Sequence, residues 1–122
     1  MPIGVERLKK RADFLRVASV RRKWAAPGMV LQAGRSRAEG IRVGFTVTKK
    51  VGNAVMRNRI KRRLRAVAQE IIPIYAENGW DFVLIGRNTT KDRKFEDLKL
   101  DLRTSLGKVG AVVKKEEREG KR

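Results

Sequence analysis

The sequence predicts an α+β domain: a two-layer α/β sandwich in which a small mixed sheet of about four strands carries three helices. Three stretches point to it, an alternating run at residues 41 to 48, a helical stripe that begins at Met56, and a continuous apolar run at 80 to 86. Strands and helices that follow one another in this way pack as layers around one core. At 122 residues the chain is of single-domain size.

Taken in order, the segment RLKKRADFLRVASV carries apolar groups at Leu8, Phe14, Leu15, Val17 and Ala18, which suits a short helix over residues 11 to 19 with a basic lead-in. No period is evident from 20 to 28, where Arg21, Arg22, Lys23 and Trp24 precede a Pro27-Gly28 turn. A first strand is expected over 29 to 33, then a polar loop over 34 to 40. Next, Ile41, Val43, Phe45 and Val47 alternate with Arg42, Gly44, Thr46 and Thr48, the period of a half-buried strand. Met56, Ile60, Leu64, Val67 and Ile71 then recur at steps of four, four, three and four, which is one face of a helix. That helix is placed over 54 to 72, with Asn53 as its N-cap and Pro73, which has no amide to donate, as its far limit.

The run WDFVLIG at 80 to 86 is short and rich in β-forming residues, as a strand buried on both faces would be, so Trp80 and Phe82 are read as core together with Phe45. Phe95, Leu98, Leu102, Leu106 and Val109 form the stripe of a last helix over 92 to 109. One domain over residues 1 to 110 is expected, followed by a disordered tail over 111 to 122, where KKEEREGKR mixes charges without apolar support.

The charge bounds the function. Thirty-one Lys and Arg stand against 13 Asp and Glu, a formal net charge of +18. A compact chain with that much like charge repels itself, and a polyanion whose counterions are released on binding relieves the repulsion. Nucleic acid is therefore the expected partner. Membrane association is not expected, because the start MPIGVERLKK offers neither an apolar helix face nor a lipid anchor, and no window nears the roughly 18 apolar residues of a membrane span. With no signal peptide legible, the cytoplasm is the expected location. Cys and His are both absent, which removes thiolate chemistry, disulfides and imidazole acid-base catalysis.

The cations concentrate in one place. Between positions 49 and 65 stand Lys49, Lys50, Arg57, Arg59, Lys61, Arg62, Arg63 and Arg65, with no acidic residue among them. On a helix, Asn58, Lys61, Arg62 and Arg65 fall opposite the apolar stripe, and Arg57, Arg59 and Arg63 flank it. A charge run is usually a solvated face of mixed sign. Here the like charges at i,i+4, such as Arg57 with Lys61, cost a few tenths of a kcal/mol each without a polyanion. Guanidinium groups, which outnumber ammonium groups in the helix, suit bidentate phosphate contacts and stacking on exposed bases, so structured or single-stranded RNA ranks above duplex DNA.

The run Lys49-Lys50-Val51-Gly52-Asn53-Ala54-Val55-Met56-Arg57-Asn58-Arg59-Ile60-Lys61-Arg62-Arg63-Leu64-Arg65 resembles the Arg-Asn-Arg signature of the bacterial ribonuclease P protein family. Leu8-Lys9-Lys10 with Asp13-Phe14, the segment Arg42-Val43-Gly44-Phe45-Thr46-Val47-Thr48 and Arg87 follow in that family's order, so the likeness spans roughly residues 7 to 107. The resemblance implies a protein that assists a catalytic RNA subunit in removing the 5′ leader of precursor tRNA. Mg²⁺ would be bound mainly by the RNA, with no catalytic residue or metal site in the protein and no obligate protein partner. By position, Lys49, Lys50 and the cations from Arg57 to Arg65, with Asn58, would contact the catalytic RNA. A cleft between the first helix and the sheet, at Phe14, Val30, Lys49 and Arg87, would take the leader. Ala18 and Gln32 stand where relatives commonly have aromatic residues, which implies weaker base stacking. The resemblance also implies a left-handed crossover between the strands at 41 to 48 and 80 to 86.

Two rivals share the charge and size. One is a ribosomal or other structural RNA-binding protein with no processing role. The other is a stand-alone metal-dependent nuclease, which needs clustered carboxylates; Asp97 and Asp101 lie a helical turn apart, but Arg93, Lys94, Lys99 and Arg103 around them suit an exposed helix of mixed sign. Phe14 fits either the core or a stacking platform by spacing, and the resemblance favours partial exposure. Trp24 could stack on a base or shield the core.

Overall fold

A computed structural model describes residues 5–36 and 39–113. In chain order these form β1 (Val5–Arg7), α1 (Arg11–Val20), β2 (Lys23–Ala25), β3 (Met29–Arg35), β4 (Ile41–Thr46), α2 (Ala54–Tyr75), β5 (Trp80–Gly86) and α3 (Phe95–Lys108), with 3-10 turns at Lys49–Val51 and Asn88–Lys91. The sheet runs β1-β4-β5-β3-β2. β4 is parallel to both β1 and β5, and β3 is antiparallel to both β5 and β2. The α+β class with three helices is as the sequence predicts, and α2 is the crossover between the parallel neighbours β4 and β5.

Alternation along β5 divides the core. Phe82 and Leu84 face the main cluster with Ile60, Leu64, Val67 and Ile71 of α2 and Leu98, Leu102 and Leu106 of α3. Val83 faces the other way, into a smaller cluster with Leu8 and Val17 against which Phe14 and Ile85 pack. Thus α2 and α3 cover one face of the sheet and α1 part of the other. Two glycines permit close approach. A Cβ at Gly86 would lie 2.4 Å from Ile60 of α2, and one at Gly44 would lie 2.5 Å from the Phe14 ring of α1.

The sheet has five strands where about four are expected, because β1 and β2 are three-residue edge strands whose residues are largely exposed and so show no alternation. α2 is capped as expected, the Asn53 side chain accepting from the Met56 amide at 2.9 Å. It runs on past the expected limit, with Pro73 inside its last turn. The one carbonyl that Pro73 leaves without a helical donor belongs to exposed Gln69, where water can serve it. α3 starts later than expected, at Phe95, since the 3-10 turn and the residues after it take up the preceding stretch. The domain boundary moves outward as well: Ala111 is fully buried, its carbonyl accepts from the Glu77 amide, and the Val113 amide donates to the Tyr75 carbonyl, both at 2.8 Å. The expected tail beyond 113 lies outside the described residues.

Two carboxylates are buried where the sequence suggests an apolar strand and a solvated helix. Asp101 of α3, read as exposed, accepts from the Gly28 amide at 3.0 Å and from Arg93 Nε at 2.6 Å, and so ties α3 to the β2–β3 turn. Asp81 of β5 accepts from Arg42 Nε at 2.9 Å and Nη2 at 2.7 Å, and from Arg16 of α1. Burial pushes the Asp81 pKa up, but the hydrogen bonds from Arg42, Ser36 and Arg16 outweigh it and hold the carboxyl below the ordinary aspartate range. A lowered folded-state pKa adds stability at pH values above the unfolded value of about 3.9, and that stability is lost as pH falls through the folded pKa. Asp81→Asn should therefore cost about 2–3 kcal/mol at pH 7, less than a wholly buried pair because both arginines stay partly exposed, and should flatten the acid limb of stability. Urea titrations of both proteins from pH 7 to pH 3 check this; parallel acid limbs would show that Asp81 is not the linked group.

Candidate nucleic-acid interface

α2 presents its cations unevenly. Asn58, Arg59 and Arg62 are exposed, as are Lys49 and Lys50 in the turn that leads into the helix. Lys61 and Arg65 are half-buried, although the sequence sets them opposite the apolar stripe, and Arg65 Nε is buried with no hydrogen-bond partner among the described residues. Arg57 folds back to donate to the Gly52 carbonyl at 2.8 Å. Arg63 is committed to the fold: its guanidinium donates to the Thr90 and Arg93 carbonyls and pins α2 to the segment after β5. The outward face of α2 is therefore Asn58, Arg59 and Arg62, bordered by Lys61 and Arg65, and Arg63 does not belong to it.

A second surface lies on the face that α1 only partly covers. Register places Ala25, Val30, Ile85 and Thr46 in one row across four strands. The next row is Lys23, Gln32, Val83 and Gly44, with the Phe14 ring over Gly44. The row after it holds Gly34, Asp81 and Arg42, where α1 is anchored through Arg16 and packs against Gly34 through Val17 and Val20. α1 thus lies over the second and third rows and leaves the first open. Val30, Ile85 and Thr46 are half-buried, and Phe14 packs against the same small cluster as Ile85 and so borders this row. Lys49 and Arg87 leave β4 and β5 at this same end, and Arg87 Nη1 also donates to the Ala26 carbonyl at 2.6 Å.

The structure brings Phe14, Val30, Lys49 and Arg87 to one end of the sheet, as the sequence reading groups them. Ile85 and Thr46 were missed as floor residues, since an apolar run and a β-alternation both read as core or solvent without a partner strand to fix the face. Trp24 sits on edge strand β2, 40% exposed, with Lys108 Nζ 5.1 Å from its ring. Phe45 is half-buried, with the Arg7 guanidinium 5.7 Å above its ring, and so is not wholly core. Trp80 and Phe82 are buried as expected. Among the described residues there is no cluster of three or more acidic side chains that could hold a metal ion, and no helix is long and apolar enough to cross a membrane.

A small domain with an acid-free cationic helix face and an open, half-apolar sheet face defines a nucleic-acid-binding protein. A family model described as Ribonuclease P matches residues 4–110. The ribonuclease P protein component of Paramagnetospirillum magneticum is 52% identical over 119 residues, covering 93% of this chain and 90% of that protein. That of Gluconacetobacter diazotrophicus is 56% identical over 105 residues, covering 85% and 90%. The solved RNase P protein of Staphylococcus aureus matches with a TM-score of 0.72 at 29% identity, over 88% of this chain and 97% of that one. The chain belongs to the ribonuclease P protein family, and its function is that of a protein subunit of this tRNA-processing ribonucleoprotein endoribonuclease. Membership implies association with ribonuclease P RNA and a tRNA substrate in general. The ribosomal alternative is not favoured.

The split within α2 is testable. Arg63→Ala should lower stability by about 2–3 kcal/mol, since it leaves two carbonyls without a charged donor. Arg59→Ala with Arg62→Ala should leave the melting temperature within about 1 °C while lowering the slope of log K against log salt for RNA by roughly 0.7–0.9 per lost phosphate contact. Thermal melts and salt-series binding assays on both proteins check the assignment, and reversed outcomes would refute it.

Proposed function

We propose that Arg59, Arg62, Lys61, Arg65 and Asn58 on α2, with Lys49 and Lys50, bind the catalytic RNA, and that the open sheet face beside α1 takes the single-stranded 5′ leader of precursor tRNA. The observation that carries this is the separation of the two surfaces. The cations of α2 project where no acidic residue of its first three turns competes for them, so phosphates are their natural partners. The open row is of another kind: Val30, Ile85 and Thr46 offer apolar and hydroxyl surface, Phe14 offers a ring edge, and Lys49 and Arg87 offer charge at one end. Such a surface suits unstacked bases whose backbone follows the cations.

In this reading the protein contributes binding and positioning, and the RNA subunit, with the Mg²⁺ it holds, contributes the chemistry. No side chain of the described residues is assigned a proton transfer. Gln32 and Ala18 supply no aromatic surface to the cleft, so leader binding rests on Phe14 and on the apolar floor.

With the RNA subunit already bound, Phe14→Ala should weaken precursor tRNA by about 1 kcal/mol, roughly fivefold, and Val30→Glu by more, both with little change for mature tRNA. RNA-free protein should leave precursor tRNA intact, and adding the RNA subunit with Mg²⁺ should restore cleavage. Binding isotherms and gel assays on leader-bearing and mature tRNA decide it: equal losses on both would exclude a leader cleft here, and cleavage by repurified, RNA-free protein would exclude the assisting role.

A further inference from the structure

Arg63 comes one helical turn after Arg59 and directly after Arg62, yet it leaves their face of α2 and opens a closed circuit of hydrogen bonds. Its guanidinium donates to the Thr90 and Arg93 carbonyls. Arg93 Nε in turn donates to Asp101 at 2.6 Å, and Asp101 accepts from the Gly28 amide at 3.0 Å. The Gly28 carbonyl accepts from the Thr90 hydroxyl at 2.6 Å, which returns the circuit to the residue where Arg63 enters it. Four segments meet here: α2, the 3-10 turn after β5 with the residues that follow it, α3, and the β2–β3 turn. The approach needs glycine at 28, where a Cβ would lie 2.5 Å from Leu98 and 2.7 Å from Asp101. Thr90 is fully buried and Asp101 is 5% exposed, so water does not make good a bond lost from the circuit.

The circuit also meets the end of the open row. The Thr90 hydroxyl accepts from the Arg87 amide at 2.8 Å, and Arg87 Nη1 holds the Ala26 carbonyl at 2.6 Å, next to Ala25 of that row. We propose that Thr90 and Arg63 are positioning residues for leader binding, because the circuit fixes Arg87 and the β2–β3 turn at a set distance from the RNA-facing side of α2. This rests on the two-surface reading above. With Arg59 and Arg62 held by the catalytic RNA, a leader meets Val30 and Arg87 together only while that end of the sheet keeps its place relative to α2. Bonds closed through four segments leave no free joint between the two surfaces, and removing one member opens the circuit. A cleft held in place beforehand loses less binding energy to ordering when the strand arrives.

The test compares Thr90→Val, which keeps the volume and removes the hydroxyl, with Thr90→Ser, which keeps the hydroxyl and removes a methyl group. Both are assembled with the RNA subunit after thermal melts show them folded, and the quantity read is the leader gain, the Kd for mature tRNA divided by that for precursor tRNA. Thr90→Val should lower the gain about three- to tenfold, while Thr90→Ser should keep it within about twofold of the parent. Affinity for the RNA subunit and the cleavage rate at saturating enzyme should change little in either. In an Arg87→Ala background Thr90→Val should add almost nothing, since Thr90 acts through Arg87. Should Thr90→Val not fold, Arg63→Lys, which replaces a two-pronged donor by a single ammonium, reads the same circuit: a lower gain is expected, and an unchanged one overturns the proposal. A folded Thr90→Val protein with the parent's gain overturns it too when Val30→Glu still loses the gain, which leaves the cleft standing without this tie to α2. So does a loss that Thr90→Ser shares or that falls equally on mature and precursor tRNA, because it reports stability and not placement. Silence of Val30→Glu would remove the cleft, and the proposal with it.

Discussion

The Asp81 carboxylate, buried in the middle of the sheet, fixes the arrangement on which the rest of the molecule depends. It sits on the face opposite the main core and can stay ionised there only because Arg42 from the neighbouring strand and Arg16 from α1 both reach it. The requirement sets where α1 crosses. With Arg16 held at the Asp81 row, Phe14 comes to rest on Gly44, Val17 packs with Val83 and Leu8, and the row Val30, Ile85 and Thr46 is left open. α1 buries little apolar surface of its own, and Leu15 and Val20 remain exposed, so the ion pairs rather than packing decide its position. The cleft is a consequence of that placement.

A second constraint is where a chain of net charge +18 can keep its cations. Some are absorbed by the fold. Arg63 donates to two carbonyls of the segment that follows β5, Arg93 neutralises Asp101, and Arg35 lies 4.1 Å from the centre of the buried Trp80 ring. The cations left on α2 repel one another, Arg59 and Arg62 at i,i+3 and Lys61 and Arg65 at i,i+4, and the helix tolerates this because Ile60, Leu64, Val67 and Ile71 anchor its other face. Burial on one side thus holds together a surface that only a polyanion relieves on the other.

Much of this was legible in the residues. The stripe from Met56 to Ile71 and the alternation at Ile41 to Val47 each have a period that a single element satisfies, and Asn53 caps where a short polar acceptor should. The edge strands β1 and β2 were not legible, since three exposed residues carry no pattern and their pairing is decided by neighbours far away in sequence. Asp81 was a visible signal: a carboxylate inside WDFVLIG must find a partner, but nothing local names Arg16 and Arg42 as that partner. Arg63 misled for a related reason. Angular position on a helix separates core from non-core, and it cannot tell a solvent-facing cation from one that meets a second segment of chain such as 90 to 93.

Side-chain footprinting, read by mass spectrometry, of the protein alone, with the RNA subunit, and with precursor tRNA added tests the two-surface arrangement most directly. The RNA subunit should protect Lys49, Lys50, Arg59, Lys61 and Arg62, and the precursor should then add protection at Phe14 and Lys23 beside the open row. Ile74 and Leu100 on the α2–α3 face, exposed in the free protein, should stay reactive throughout. Protection of Ile74 and Leu100 by the RNA subunit, with Arg59 and Arg62 left reactive, would contradict the division of the molecule into two RNA-facing surfaces and one free one.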